Sequence, residues 1–161
     1  MITVERTFDY GLVNSIMTHP AIYPFISDDG SPSREQFRAP ESDCIWYVLA
    51  KNDGQIIGLW MAIPLNAVTY EIHTNVLPDH RGKEALDAAK IALEWAWENI
   101  PNCQRIVTNI PRFNLPARVF ALQSGLSRMG VNPKSFLKEG VLHDVTMLGI
   151  SRPEGLCQPQ P

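Results

Sequence analysis

The chain has 161 residues, is 45% hydrophobic, and carries 14 Lys and Arg against 17 Asp and Glu, for a net charge of -3. That composition predicts one globular domain over residues 1–150 with a single core, and it leaves no basic excess to neutralise a nucleic-acid backbone. The longest apolar runs, such as Ile56 to Leu65, are too short to span a bilayer, no basic-then-apolar leader opens the chain, and Cys44, Cys103 and Cys157 lack metal-ligand spacing, so the expectation is a cytoplasmic protein with reduced thiols and no metal.

Ile2 to Phe8 alternates apolar and polar residues as a strand does, and Asp9 can then cap a helix with Leu12, Val13, Ile16 and Met17 on one face. His19-Pro20 and Tyr23-Pro24 interrupt helix, and a turn-rich loop leads to Ser33-x-x-Gln36, a capping-box pattern predicting a short helix in an otherwise broken region over 18–43. Ile45 to Ala50 and Gln55 to Ile63 read as strands joined by a hairpin at Asp53-Gly54, and Thr69 to Leu77 extends the meander. From Lys83 to Asn99, Leu86, Ala89, Leu93 and Trp97 recur at helical spacing. Arg105 to Ile110 is a strand closed by Pro111. Asn114 then caps a helix whose core face is expected to be Leu115, Val119, Leu122 and Leu126. Strands around 134–138 and 142–150 finish the fold, and residues 151–161 form a Pro-rich tail. The order βα(α)βββαβαββ implies an α/β or α+β sandwich around one mixed sheet.

Two local patterns carry chemistry. Between Leu77-Pro78 and the helix at Lys83 lies the basic turn Arg81-Gly82-Lys83, and strand, tight turn and helix N-terminus together favour a phosphate-bearing ligand, because the first helical amides have no intrahelical partner. On the preceding strand, the period of two puts Glu71, His73 and Asn75 on one face, where Glu71 or His73 can accept a proton. A hydrogen-bonded polar cluster or a solvated strand face would give the same pattern.

With these motifs in order, the chain from Ile2 to Ile150 resembles the GNAT superfamily, the Gcn5-related N-acetyltransferases. The segment from Tyr70 through Leu77-Pro78 to Lys83 resembles that family's fourth strand and pyrophosphate turn, and Asn114-x-x-Ala117 with Gly125-Leu126 and Gly130 resembles the pattern after its fifth strand. Gly140 to Asp144 resembles the end of the RimJ/RimL-like branch, which acetylates protein N-termini and small-molecule amines. The resemblance implies a mostly antiparallel central sheet with helices on both faces and splayed fourth and fifth strands. It also implies acetyl-CoA as co-substrate, an amine or protein N-terminus as acceptor, and no metal. Main-chain groups of Asn75, Val76 and Leu77 would bond the pantetheine arm, Arg81, Gly82, Lys83 and Ala85 would cradle the pyrophosphate, and Asn114 would bond the cofactor or merely cap its helix.

Three positions depart from that family. Glu84 and Leu86 stand where its turn has Gly and Gly or Ala, and Ala121, preceded by Phe120, stands where many members carry a proton-donating tyrosine. A carboxylate at position 84 is expected to narrow the turn and repel pyrophosphate, unless Glu84 only favours the first turn of its helix. The alternative expectation is a GNAT-fold binding or assembly module that has lost acetyl transfer. GNAT-like proteins of tailed phages, including some linked to head assembly, look similar in this region.

Overall fold

A computed structural model describes residues 1–155; the last part of the Pro-rich tail and Cys157 lie outside the described residues. Seven strands form one sheet in the order β1-β2-β3-β4-β5-β7-β6, from β1 (Ile2–Arg6), β2 (Trp46–Asn52), β3 (Gln55–Pro64), β4 (Thr69–Val76), β5 (Arg105–Pro111), β6 (Ser127–Lys138) and β7 (Val141–Ser151). Every neighbouring pair is antiparallel except β4 and β5. The helices are α1 (Tyr10–Met17), α2 (Tyr23–Ile26), α3 (Lys83–Asn99) and α4 (Leu115–Gln123), with a 3-10 turn at Pro78–His80.

The sheet divides two apolar layers. On one face α1 packs Val13, Ile16 and Met17 against Tyr47, Leu49, Leu59 and Met61. On the other, α3 lays Ala88, Ala89, Ala92, Ala96 and Trp97 against Val48, Trp60, Tyr70, Ile72 and Ile106. The alanine stripe lets α3 approach the strands closely, while Trp97 fills the space near its C-terminal end. Asp9 caps α1 by accepting from the Leu12 amide at 2.9 Å, and Asp53 and Gly54 take the positive φ values, 48° and 85°, that the β2–β3 hairpin requires.

Three expectations are corrected. Tyr23-Pro24 begins α2 instead of ending helix, because Pro24 occupies the first turn, where its missing N–H is not needed. Ser33 forms a single turn and no helix: its Oγ accepts from the Gln36 amide at 3.3 Å, but Arg38 and Ala39 run on without helical structure. On α4, Leu115, Val119 and Leu122 are 56%, 41% and 51% exposed, and the buried side is Ala121 with Ala117 and Phe120 packed beside it. The small residues let α4 sit low on the sheet, which rotates the larger leucines outward.

Candidate active site

β4 and β5 run side by side only briefly. Thr69, Tyr70 and Glu71 pair with Arg105, Ile106 and Val107, and no pairing follows. Beyond that point β4 stays with β3 as far as Val76 opposite Gly58, and β5 stays with β7 as far as Pro111 opposite Val145. Each strand is held by its outer neighbour, so the two diverge. In β3, Ile57 falls between the residues paired with Ala50 and Lys51, a bulge that increases local twist on the β4 side of the split. The split opens a cleft of about 720 Å³ through the sheet, walled by Ile72, Ile110 and Phe120 and, from the α1–α2 side, by Ile22 and Phe25. That size lies within the ordinary range for small-molecule sites, roughly 300–1,000 Å³.

Strand geometry decides which main-chain groups reach this cleft. The Leu77 amide donates to the Ile57 carbonyl at 3.0 Å, and the Asn75 carbonyl lies so near Gly58 that a Cβ there would come within 2.6 Å of it. Asn75 and Leu77 therefore turn their backbone toward β3. The alternate residues, Thr74 and Val76, turn theirs toward the side that β5 has left. Of the three positions expected to offer main-chain groups, only Val76 does so, and Thr74 joins it. Identifying Thr74 required the pairing of β3 with β4, which periodicity alone does not supply.

Asn75 contributes its side chain instead. It is 1% exposed, and its Nδ2 reaches only the Leu59 carbonyl, at 3.4 Å. Its Oδ1 is buried without a partner. An unsatisfied buried acceptor costs about 1–3 kcal/mol, and here it belongs to a residue lining the cleft, where a ligand N–H can complete it.

His73 also lines the cleft, as do Thr108 and Asn109 of β5. Glu71 sits behind, its Oε1 3.8 Å from His73 Nε2 and accepting from Asn109 Nδ2 at 2.9 Å. Burial pushes the His73 imidazole below its ordinary pKa, and the nearby Glu71 carboxylate offsets this only in part. His73 is consequently a neutral base near pH 7, with Glu71 oriented by the opposite wall of the split.

At the mouth, Gly82 takes φ 102° as the N-cap of α3 and supplies no side-chain cap, so the amides of Lys83, Glu84 and Ala85 lack intrahelical acceptors. Arg81 and Gly82 line the cleft together with Ala85, which is 1% exposed. The Arg81 guanidinium bridges to the Ala21 carbonyl at 3.0 Å, linking this turn to the α1–α2 connection. Lys83 pairs with Asp87 one turn along the helix. Asn114 accepts from the Ala117 amide at 3.3 Å as the cap of α4, and it too borders the cleft.

Glu84 does not enter the cleft. Its carboxylate accepts from Asn52 Nδ2 at 2.9 Å and lies 2.7 Å from His80 Nδ1, tied back toward the β2–β3 hairpin. The expected narrowing of the turn by a projecting carboxylate is thereby corrected, whereas Leu86 does line the cleft. The hydrogen bonds from His80 and Asn52 hold the Glu84 carboxyl below its usual value of 4.5. Because a lowered carboxyl pKa gives stability that is present above the unfolded value and lost as pH falls through the folded one, this contribution should fade below about pH 4.5. Glu84→Ala should lower Tm at pH 7 and much less at pH 3.5, with no gain in acetyl-CoA affinity; a clear gain would show that the carboxylate does oppose the ligand.

Several other polar and aromatic side chains pack within the fold. His143 packs its ring on Phe113 at 4.8 Å, and Asp144 Oδ1 accepts from the Lys134 amide at 3.0 Å. Trp95 stacks edge-on with Trp46. Cys103 is buried, its thiol pushed up to about 11 by desolvation. Among the described residues no group of His, Cys, Asp and Glu could hold a metal ion, and no helix is long and apolar enough to cross a membrane.

The sheet order, the split between β4 and β5, and the uncapped helix at its mouth define the GNAT fold. The spermidine N-acetyltransferase of Vibrio cholerae, solved in complex with CoA and spermine, matches with a TM-score of 0.74 at 18% identity, covering 93% of this chain and 95% of that one. The spermidine/spermine N-acetyltransferase of the same organism, in complex with manganese ions, gives 0.67 at 18% identity over 93% and 92%. The chain itself belongs to the family described as "Protein of unknown function (DUF2824)", whose model matches residues 25–156. No curated protein matches the sequence.

Proposed function

We propose that this protein transfers an acetyl group from acetyl-CoA to an amine, on a small molecule or at a protein N-terminus. The observation that carries this reading is the open cleft, which runs from the free amides of α3 to His73. Acetyl-CoA supplies a thioester already activated for acyl transfer, so the chain has to position, polarise and deprotonate. The amides of Lys83 to Ala85, with Arg81, hold the pyrophosphate. The main-chain edge of Thr74 and Val76 holds the pantetheine arm in the gap that β5 would otherwise fill, and Asn114 borders it from α4. His73 takes the proton from the attacking amine. Glu71 acts through His73 as a positioning residue, stabilising the imidazolium that forms. Ile22 and Phe25 screen the reacting atoms from water. At positions 120 and 121, Phe and Ala offer no hydroxyl to protonate the leaving thiolate, which falls to solvent.

A binding or assembly module without acetyl transfer is favoured by two specific observations, the Leu86 side chain in the cleft and the missing hydroxyl on α4. Calorimetry and thermal melting with acetyl-CoA separate the readings. Acetyl-CoA at about 100 times its Kd should stabilise the fold by about 2.7 kcal/mol. Absence of both heat and thermal shift at millimolar concentration would remove the transferase reading.

A further inference from the structure

A second cavity, of about 210 Å³, lies on the far side of α4 from the cleft. Arg118 and Leu122 reach it from one stripe of α4, Arg112 from the end of β5, and Arg128 from β6, with Thr146 and Leu148 of β7 also lining it. Three guanidinium groups thus border one small space in a chain whose net charge is -3. Among the described residues the only carboxylate paired with any of them is Asp144, whose Oδ2 lies 3.5 Å from Arg112 Nη1. Three positive charges less one negative leaves two in excess. Among the described residues neither Arg118 nor Arg128 has an ion pair, and Arg118 Nε is buried with no acceptor. Thr146 is only 6% exposed.

Arginines left this way repel one another and leave a buried donor unsatisfied, and both costs vanish when an anion occupies the space. The guanidinium fork matches tetrahedral oxyanions, each oxygen accepting two or more N–H bonds. An excess of two charges calls for a dianion, and the volume admits a phosphate group with room left beside it. Leu122, Val131 and Leu148 complete the lining beside the three arginines and Thr146. We propose that this cavity is a binding site for a phosphate-class dianion, either free or as the terminal group of a phosphate ester, distinct from the acyl-transfer cleft.

Calorimetry and thermal melting of the full chain at constant low ionic strength, with inorganic phosphate, glycerol 3-phosphate and acetate as probes, test this. Phosphate should bind in this cavity at one equivalent per chain, beyond any held by the turn at Arg81, and raise Tm, whereas acetate should do neither. Arg118→Met and Arg128→Met keep the side-chain stems and remove the charge, and each should weaken phosphate binding at least about tenfold. Arg128→Met changes an exposed strand position and serves even where Arg118→Met folds poorly. Arg81→Ala, at the mouth of the cleft, should leave the equivalent bound in this cavity intact. Tighter binding of glycerol 3-phosphate than of phosphate assigns the site to an ester, and weaker binding to the free ion. Equal effects of phosphate and acetate would overturn the proposal, as would full affinity in Arg128→Met or loss of binding only in Arg81→Ala.

Discussion

His73→Ala is expected to lower kcat for amine acetylation by about 10²- to 10⁴-fold, with little change in KM for acetyl-CoA. The imidazole lines the cleft, whereas the groups placed on pyrophosphate and pantetheine lie elsewhere, so its loss removes proton acceptance and spares binding. The pH profile supplies a second readout. Desolvation holds the His73 pKa below 6.5, so the base is neutral at pH 7 and kcat/KM should fall only on the acidic side, with an apparent pKa under that value. Glu71 raises the His73 pKa, so Glu71→Gln should move the acidic limb to lower pH as well as reduce kcat. A merely structural carboxylate would lower stability and leave the limb in place. Stability should follow the same group: as pH falls through 6.5 the unfolded imidazole binds its proton first, and this destabilising slope should be missing in His73→Ala. An unchanged kcat in His73→Ala would remove this residue from the chemistry.

Gly58→Ala should be among the most damaging single-methyl additions in the chain. A Cβ at this position would lie 2.6 Å from the Asn75 carbonyl oxygen and 3.1 Å from Val76 Cα, both backbone atoms of the adjacent strand. No rotamer change relieves that contact, so β3 and β4 must separate locally, at a cost of about 1–3 kcal/mol. For a chain of this size each kcal/mol lowers Tm by roughly 2–4 °C. The displaced segment contains Val76, so acetyl-CoA affinity should fall with the stability. Gly130→Ala is the control, because nothing lies within 4 Å of its added Cβ, and it should melt like the parent protein. Equal melting of the two variants would show that the strands have slack at this point.

Much of the architecture follows from local chemistry visible in the chain. Asp9 caps, Asp53-Gly54 turns, and the alternation at 71, 73 and 75 places three polar residues on the face that carries Met61 and Leu59. The helix at 83–99 follows from its spacing. What escaped sequence reasoning depends on neighbours distant in the chain. Which backbone groups of β4 face the cleft is set by their pairing with β3, and where Glu84 points is set by Asn52, more than thirty residues away. Of the core face expected for α4, Leu126 is buried but Leu115, Val119 and Leu122 are not: leucines outweigh alanines in an apolar count, although the close approach of helix to sheet selects the smaller residues. Arg112, Arg118 and Arg128 lie on three different elements, and no spacing in the sequence announces that they meet.

The brief contact of β4 with β5 has a mechanical meaning. It divides the hydrogen-bonded sheet into a four-stranded leaf, β1-β2-β3-β4, and a three-stranded leaf, β5-β7-β6, joined by three residue pairs, by loop contacts such as the Gln104 amide to the Val68 carbonyl at 2.9 Å, and by the core under α3, to which Trp60 and Ile72 of one leaf and Ile106 and Leu148 of the other contribute. Such a seam is the natural boundary between cooperative units. A ligand lying along the cleft touches both leaves beyond the seam and replaces the strand pairing missing there. Occupancy of the cleft would then do more than fill a pocket: it would tie together, beyond the seam, two leaves that otherwise share a core and a short ladder.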